Sequence, residues 1–247
     1  LVGGSPTMTL VNNGRLVLMG TATVNGPVTT GLTSVIEVRG SAAYSTANAT
    51  ITSGFTNNGA IALTDINAAW GSSLTVPTGT LVNAATGTIT ALVGAGGVRT
   101  LAAVLDNQGT VAVPQALTLS RASAAHVNSG TITVTGGTFT VSQSGTTPSF
   151  TNASTGTIAV SAGRIFSVSG GTLDLSTGLV SGTTGTLVTS GVAPLLFSTA
   201  TVQPQLTLNA TTIPGTYTIP AADSLVLVGG SPTMTLVNNG RLVLLGS

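Results

Sequence analysis

The chain has no cysteine and no lysine, and its charges number eleven in 247 residues: six Arg, four Asp and Glu37. Charged residues therefore make up 4% of the chain, against roughly 25% in ordinary globular domains. Without cysteine, rigidity has to come from the backbone ladder and from packing, because disulfides and thiolate metal sites are excluded. A net charge of +1 supplies neither the basic field that nucleic acid or an anionic lipid surface requires nor an acidic one for cationic partners. No run approaches the roughly 18 uninterrupted apolar residues of a spanning helix, since Thr, Ser, Gly or Asn breaks the hydrophobic stretches every few positions. Eight aromatic residues, scattered from Tyr44 to Tyr217, are too few for the girdles of an outer-membrane barrel. No sustained stripe of period 3.6 exists either. The nearest approach, Thr100 to Asp106, is short and lies among strand-like segments, so little or no helix is expected.

What the chain does have is Thr, Val and Ile in alternation, punctuated by Gly. Triplets such as Leu16-Val17-Leu18, Ile61-Ala62-Leu63, Val111-Ala112-Val113, Ile132-Thr133-Val134 and Ile158-Ala159-Val160 have the period of two that marks a half-buried strand. Many of these triplets follow a short signature, N-x-G-T-[IV]-x-V. It occurs at Asn12 with Gly14, Asn57 with Gly59, Asn107 with Gly109, Asn128 with Gly130 and Asn238 with Gly240; Asn83 with Gly87 and Asn152 with Gly156 carry a longer spacer. Successive Asn residues are 45, 26, 24, 21, 24 and 86 positions apart. The short steps each define one unit, the step of 45 is two units and the step of 86 is four with the marker lost. Ten units then fill positions 1–226.

A unit of this length with two or three short strands is the rung of a solenoid, in which stacking supplies the core that one rung cannot make alone. The fold class expected is all-β, a parallel β-helix (β-solenoid) of about ten rungs with roughly 22 residues per rung. A propeller would need blades of ~40 to 45 residues, and an immunoglobulin-type sandwich would need hairpin turns between its strands.

The recurring Asn, carrying both a donor and an acceptor, is expected to stack in a ladder at one corner and to tolerate a left-handed turn there. The Gly after it is expected to supply positive φ. No acids cluster: Glu37, Asp65, Asp106, Asp174 and Asp223 share no local motif, whereas a β-helix enzyme that degrades polysaccharide needs converging acids. Glu37-Val38-Arg39 reads as a solvated pair, His126 as a surface or turn residue, and Gly94-Ala95-Gly96-Gly97 as a turn without the Lys-Ser/Thr of a nucleotide loop. Thr-x-Thr pairs (Thr88/Thr90, Thr131/Thr133, Thr138/Thr140, Thr216/Thr218) raise an ice-binding face, but their spacing along the chain is irregular. Three sequons, at Asn48, Asn152 and Asn209, matter only if the host glycosylates secreted proteins. No catalytic residue, cofactor or metal ligand is expected.

A second repeat is far longer. Leu1 to Gly20 and Leu227 to Gly246 agree at nineteen of twenty positions, with Met19 against Leu245 as the exception. Residues 1–226 then read as one long repeat and 227–247 as the start of the next. Leu1 is not an initiator methionine and no leader pattern precedes it, so the expectation is a processed or excised piece whose ends continue into identical neighbours.

The signature at Asn128 to Val141, with its following T-[FLY]-x-[VIL] strands, resembles the β-helical repeats of large secreted bacterial surface proteins of the autotransporter-passenger and filamentous-haemagglutinin type. That resemblance implies an extracellular or cell-surface location and a role as a stalk, fibre or adhesin. The expectation is a structural, non-enzymatic segment of an extracellular filament whose partners are identical repeats stacked end to end, in covalent tandem or as a homo-oligomeric fibre. The rival is an adhesin holding carbohydrate or another cell through a side face.

Overall fold

A computed structural model describes residues 1–182 and 184–245. The chain coils into a parallel β-solenoid of about eleven turns at about 22 residues per turn, with no helix among the described residues. A well-formed turn contributes three strands, one to each face. Thr131–Val134, Phe139–Ser142 and Ser149–Asn152 make one turn, and Thr157–Val160, Ile165–Ser169 and Thr172–Asp174 make the next. Each strand pairs in parallel with its counterpart one turn on. Among the described residues no helix is long and apolar enough to cross a membrane.

Period two in the sequence becomes an inside and an outside in the coil, because successive side chains of a strand point to opposite faces. On the first face a single inner file runs Leu16, Ile36, Ile61, Ile89, Val111, Ile132, Ile158, Val180 and Val202 through successive turns. Leu225 over Leu242 completes it. The second face stacks Leu117, Phe139, Phe166, Leu187, Leu206 and Leu227 in the same way. The Phe139 and Phe166 rings lie 5.6 Å apart and nearly parallel, and Phe150 of the third face meets Phe166 at 5.9 Å. These files form one continuous hydrophobic core along the axis. Thr100 to Asp106, the nearest thing to a helix in the sequence, lies in the strand Arg99–Asn107.

Turn length varies because corners absorb the extra residues. The Asn12 position is followed one turn on by Thr30, which pairs in register with it, so the step of 45 divides unequally into 18 and 27. Beyond Asn152, the pairings of Thr151 with Asp174 and of Asp174 with Leu196 put Leu175 and then Phe197 at the same corner. Further on, Ile219 pairs with Asn238. The step of 86 therefore spans four turns, with an apolar residue at each corner in between.

The two copies of the long repeat adopt the same geometry. Val2 pairs with Met19, and Val228 pairs with Leu245, each partner one period on. Gly3 and Gly4 have φ of 59° and 84°, and Gly229 and Gly230 have 67° and 93°.

Candidate functional site

Five of the seven signature asparagines form an unbroken chain of side-chain hydrogen bonds. Asn57 Nδ2 donates to Asn83 Oδ1 at 2.8 Å, and Asn83, Asn107 and Asn128 each donate to the next Oδ1 at 2.7 Å, ending on Asn152. All five are fully buried. Each Nδ2 also faces the carbonyl of its own signature Gly, at 3.2 to 3.4 Å. A second carbonyl comes from the following turn: Thr88, Thr110, Thr131, Thr157 or Leu179. The amide dipoles point one way along the axis, so each bond polarises the next in a dry setting. The first member, Asn57, has no donor for its Oδ1 among the described residues.

Asn12 and Asn238 lie outside this chain. Asn12 Nδ2 donates to Val35 O at 3.1 Å and its Oδ1 accepts the Gly14 N–H, while the Thr30 hydroxyl on the next turn takes the Asn58 N–H instead. Asn238 is exposed.

The backbone at this corner differs from the expectation of left-handed residues. None of the five ladder asparagines has a positive φ, and neither does any of Gly14, Gly59, Gly87, Gly109, Gly130, Gly156 or Gly240. The asparagines end strands in extended conformation. The glycines are required by the neighbouring turn: a Cβ on Gly130 would lie 2.2 Å from Gly109 O, one on Gly156 2.2 Å from Asn128 O, and one on Gly240 2.1 Å from Pro220 O. A Cβ on Gly14 would meet nothing within 4 Å.

Three polar positions are buried that the sequence either reads as solvated or leaves unmarked. His126 is 1% exposed and stands in an inner file of the third face, paired with Phe150 on one side and one residue from the Asp106–Val127 pairing on the other. Its Nδ1 accepts the Leu105 N–H at 3.2 Å, and its Nε2 has no partner among the described residues. Burial pushes its pKa down to about 4. Glu37 is also covered: Arg15 donates to its carboxylate from Nε at 2.7 Å and again from Nη2, and Arg39 lies 3.6 Å away. The expected solvated Glu37–Arg39 pair is therefore a three-residue cluster on a buried acid.

The third case joins residues 34 positions apart. Arg99 occupies an inner position of the second face, in register with Leu117 and Ser72, and Asp65 Oδ1 accepts its Nη2 at 2.5 Å. The Gly94–Gly97 turn closes on the same carboxylate, with Ala95 N at 2.8 Å and Gly97 N at 3.0 Å. Arg99 donates further to the carbonyls of Leu92, Val93, Trp70 and Val98. Desolvation opposes ionisation of Asp65, but the two backbone N–H groups and Arg99 outweigh it and hold the carboxyl below its ordinary range. Residue spacing carries no hint of this clasp. Strand phase does: Arg99 shares parity with the buried Leu101 and Ala103.

Asp106 accepts from Gln108, Asp174 from Ser176 and Asp223 from Thr199. Among the described residues no group of three His, Asp or Glu could hold a metal ion. The Thr-x-Thr pairs, irregular along the chain, come into register in the coil, where Thr88, Thr110, Thr131 and Thr157 form one file. Of the sequons, Asn48 is exposed and Asn152 is buried in the ladder.

Fold and ladder together define a parallel β-solenoid with a polar spine along one corner. No family model, curated protein or solved structure matches this chain.

Proposed function

We propose that this chain is a structural repeat of an extracellular filament or large cell-surface protein, giving length and stiffness through stacked solenoid turns. The observation that carries this reading is commensurability. The long repeat, positions 1–226, spans ten whole turns, so its second copy returns to the same face and the same pairing, Val228 with Leu245 as Val2 with Met19. A period that ended part-way round a turn would rotate every copy against the last. Charge placement supports the same reading. Arg241 stands one period after Arg15, and in a continuing array the next turn brings the counterpart of Glu37 beside it, as Glu37 sits beside Arg15 here. Low charge suits identical turns stacked at close range, since like charges in register repel. Absence of Lys and scarcity of Arg leave few sites for trypsin-like proteases, which fits an exposed location.

With turns about 4.8 Å apart, ten turns advance roughly 48 Å. A protein of three tandem copies, imaged by electron microscopy and measured by fibre diffraction, is expected to form a straight rod with an axial repeat near that length. Globular particles, or a rod without it, would refute the reading.

A further inference from the structure

Among the described residues the ladder of the first face has one break. It is continuous from Arg15–Val24 to Leu179–Ser181, narrows to the single bridge between Val180 and Val202, and has no pairing from Val202 to the strand Ser224–Gly230 one turn later. Pairing to that strand begins only at Leu227, opposite Leu206. A cavity of about 360 Å³ fills the break, lined by Thr199, Gln203 and Pro204 on one rim and by Asp223, Ser224 and Leu225 on the other. Ser224, Leu225 and Val226 are laddered on their far side to Arg241, Leu242 and Val243. Their near side is an open strand edge.

Asp223 is the notable group on this rim. Glu37 and Asp65 are matched by arginines, but Asp223 forms no ion pair among the described residues. Its carboxylate accepts the Thr199 hydroxyl across the cavity. Close by, Tyr217 is 7% exposed, and its hydroxyl has no hydrogen-bond partner among the described residues. Burial, together with the charge of Asp223, outweighs the opposing influence of the nearby Thr199 and pushes the pKa of that hydroxyl up to about 12. Tyr217 stacks on Phe197 with ring centroids 4.6 Å apart, and this pair lines a second, separate cavity of about 280 Å³ with Leu196, Pro214, Ser176 and Thr216.

We propose that the break in the first face is a binding site for a neutral saccharide. A sugar is dense in hydroxyls that donate to a lone carboxylate and accept from an open backbone edge and a side-chain amide, and its C–H faces rest on small apolar surface. The site offers Asp223, the Ser224–Val226 edge and Gln203, with the exposed Ala222 and the half-buried Val226 beside them. An acidic saccharide would meet Asp223 with no cation in the lining. A hard divalent cation takes six to eight oxygens at close range, and this cavity is too roomy and has one carboxylate. A single acid also supports binding without glycoside cleavage, which uses two. On the tandem reading above, and only on it, the site recurs once per long repeat, roughly 48 Å apart, so weak individual sites add up to avid attachment to a polysaccharide surface.

The test uses the single chain, so its result is independent of whether copies form a rod. On a printed array of neutral and acidic glycans followed by calorimetric titration of any hit, neutral oligosaccharides are expected to bind and uronate- or sialate-bearing ones to be rejected. Asp223→Asn is expected to weaken binding about tenfold or more through loss of charge-assisted hydrogen bonds, with an unchanged melting temperature. If Asp223→Asn unfolds, Gln203→Ala on the exposed rim decides, again by weakened binding. Absence of any neutral glycan bound, binding undiminished in the variant that folds, or saturation of the site by calcium chloride alone would overturn the proposal.

Discussion

Asn107→Leu tests the polar spine at its centre. Asn107 donates to Asn128 Oδ1 and accepts from Asn83 Nδ2, both at 2.7 Å. Leucine removes both ladder bonds and the longer contacts of Asn107 Nδ2 to Gly109 O and Thr131 O; of these two carbonyls, Gly109 O keeps the Thr131 N–H. Asn83 Nδ2 keeps the carbonyls of Gly87 and Thr110, but Asn128 Oδ1 is left buried without its donor. A buried polar group deprived of its partner costs about 1–3 kcal/mol. With one such group fully orphaned and a second weakened, the expected loss is about 3 kcal/mol, or about 6–12 °C in melting temperature for a chain of this size. Sterics contribute little to this figure, because Leu175 occupies the corresponding corner one turn past Asn152. Two companions calibrate the measurement. Asn57→Leu removes one ladder bond, the donor to Asn83 Oδ1, along with the contacts to Gly59 O and Thr88 O, and is expected to cost about half as much, while the exposed Asn238→Leu should stay within about 0.5 kcal/mol. The assay is thermal and urea unfolding followed by circular dichroism. If Asn107→Leu melts no lower than Asn238→Leu, the chain of amides is a by-product of stacking and the spine does not stabilise the coil.

Two further predictions concern His126 and the signature glycines. His126 has a folded-state pKa pushed down to about 4 by burial, against about 6.5 unfolded, so between these values the unfolded chain binds more protons. Its contribution is fully present above pH 6.5 and is lost as pH falls toward 4, by about 3 kcal/mol at most; urea midpoints across this range should follow that slope, and His126→Leu should flatten it. An equally steep slope in His126→Leu would assign the acid sensitivity elsewhere. Gly130→Ala and Gly14→Ala separate the two explanations for the signature glycine: the first drives a Cβ to 2.2 Å from Gly109 O and the second meets nothing within 4 Å. Gly130→Ala should cost about 3 kcal/mol or more and Gly14→Ala should fall within about 0.5 kcal/mol, whereas equal losses would restore a backbone-conformation role.

The coil was legible in the sequence because its two periods are carried by different residue types. Alternation of Val, Ile and Leu with Thr sets the strands, and Asn sets the turn, so the count of ten units in the long repeat could be read even across turns where Asn is replaced. It survived because Thr30, Leu175 and Phe197 fill the Asn corner without changing the number of turns. The glycine role is not legible there, because a sequence shows a residue's own backbone and not the turn above it. Only stacking brings Gly109 O against Gly130, and stacking register is a property of two turns.

The buried polar residues are hidden in the sequence for a related reason: residue type points them outward, while strand phase is the better guide. His126 shares parity with Asn128, and both are inside; Arg99 shares parity with Leu101 and Ala103 and is inside with them. Phase tells which way a side chain points, but partners decide whether it can stay there. Arg99 stays because Asp65, 34 residues away, meets it with four carbonyls in support. His126 stays by remaining neutral. In a solenoid every inner slot is reused once per turn, so a polar residue in one is a local departure that its own turn has to compensate, and the turns that do so are the places where chemistry other than stacking can be found.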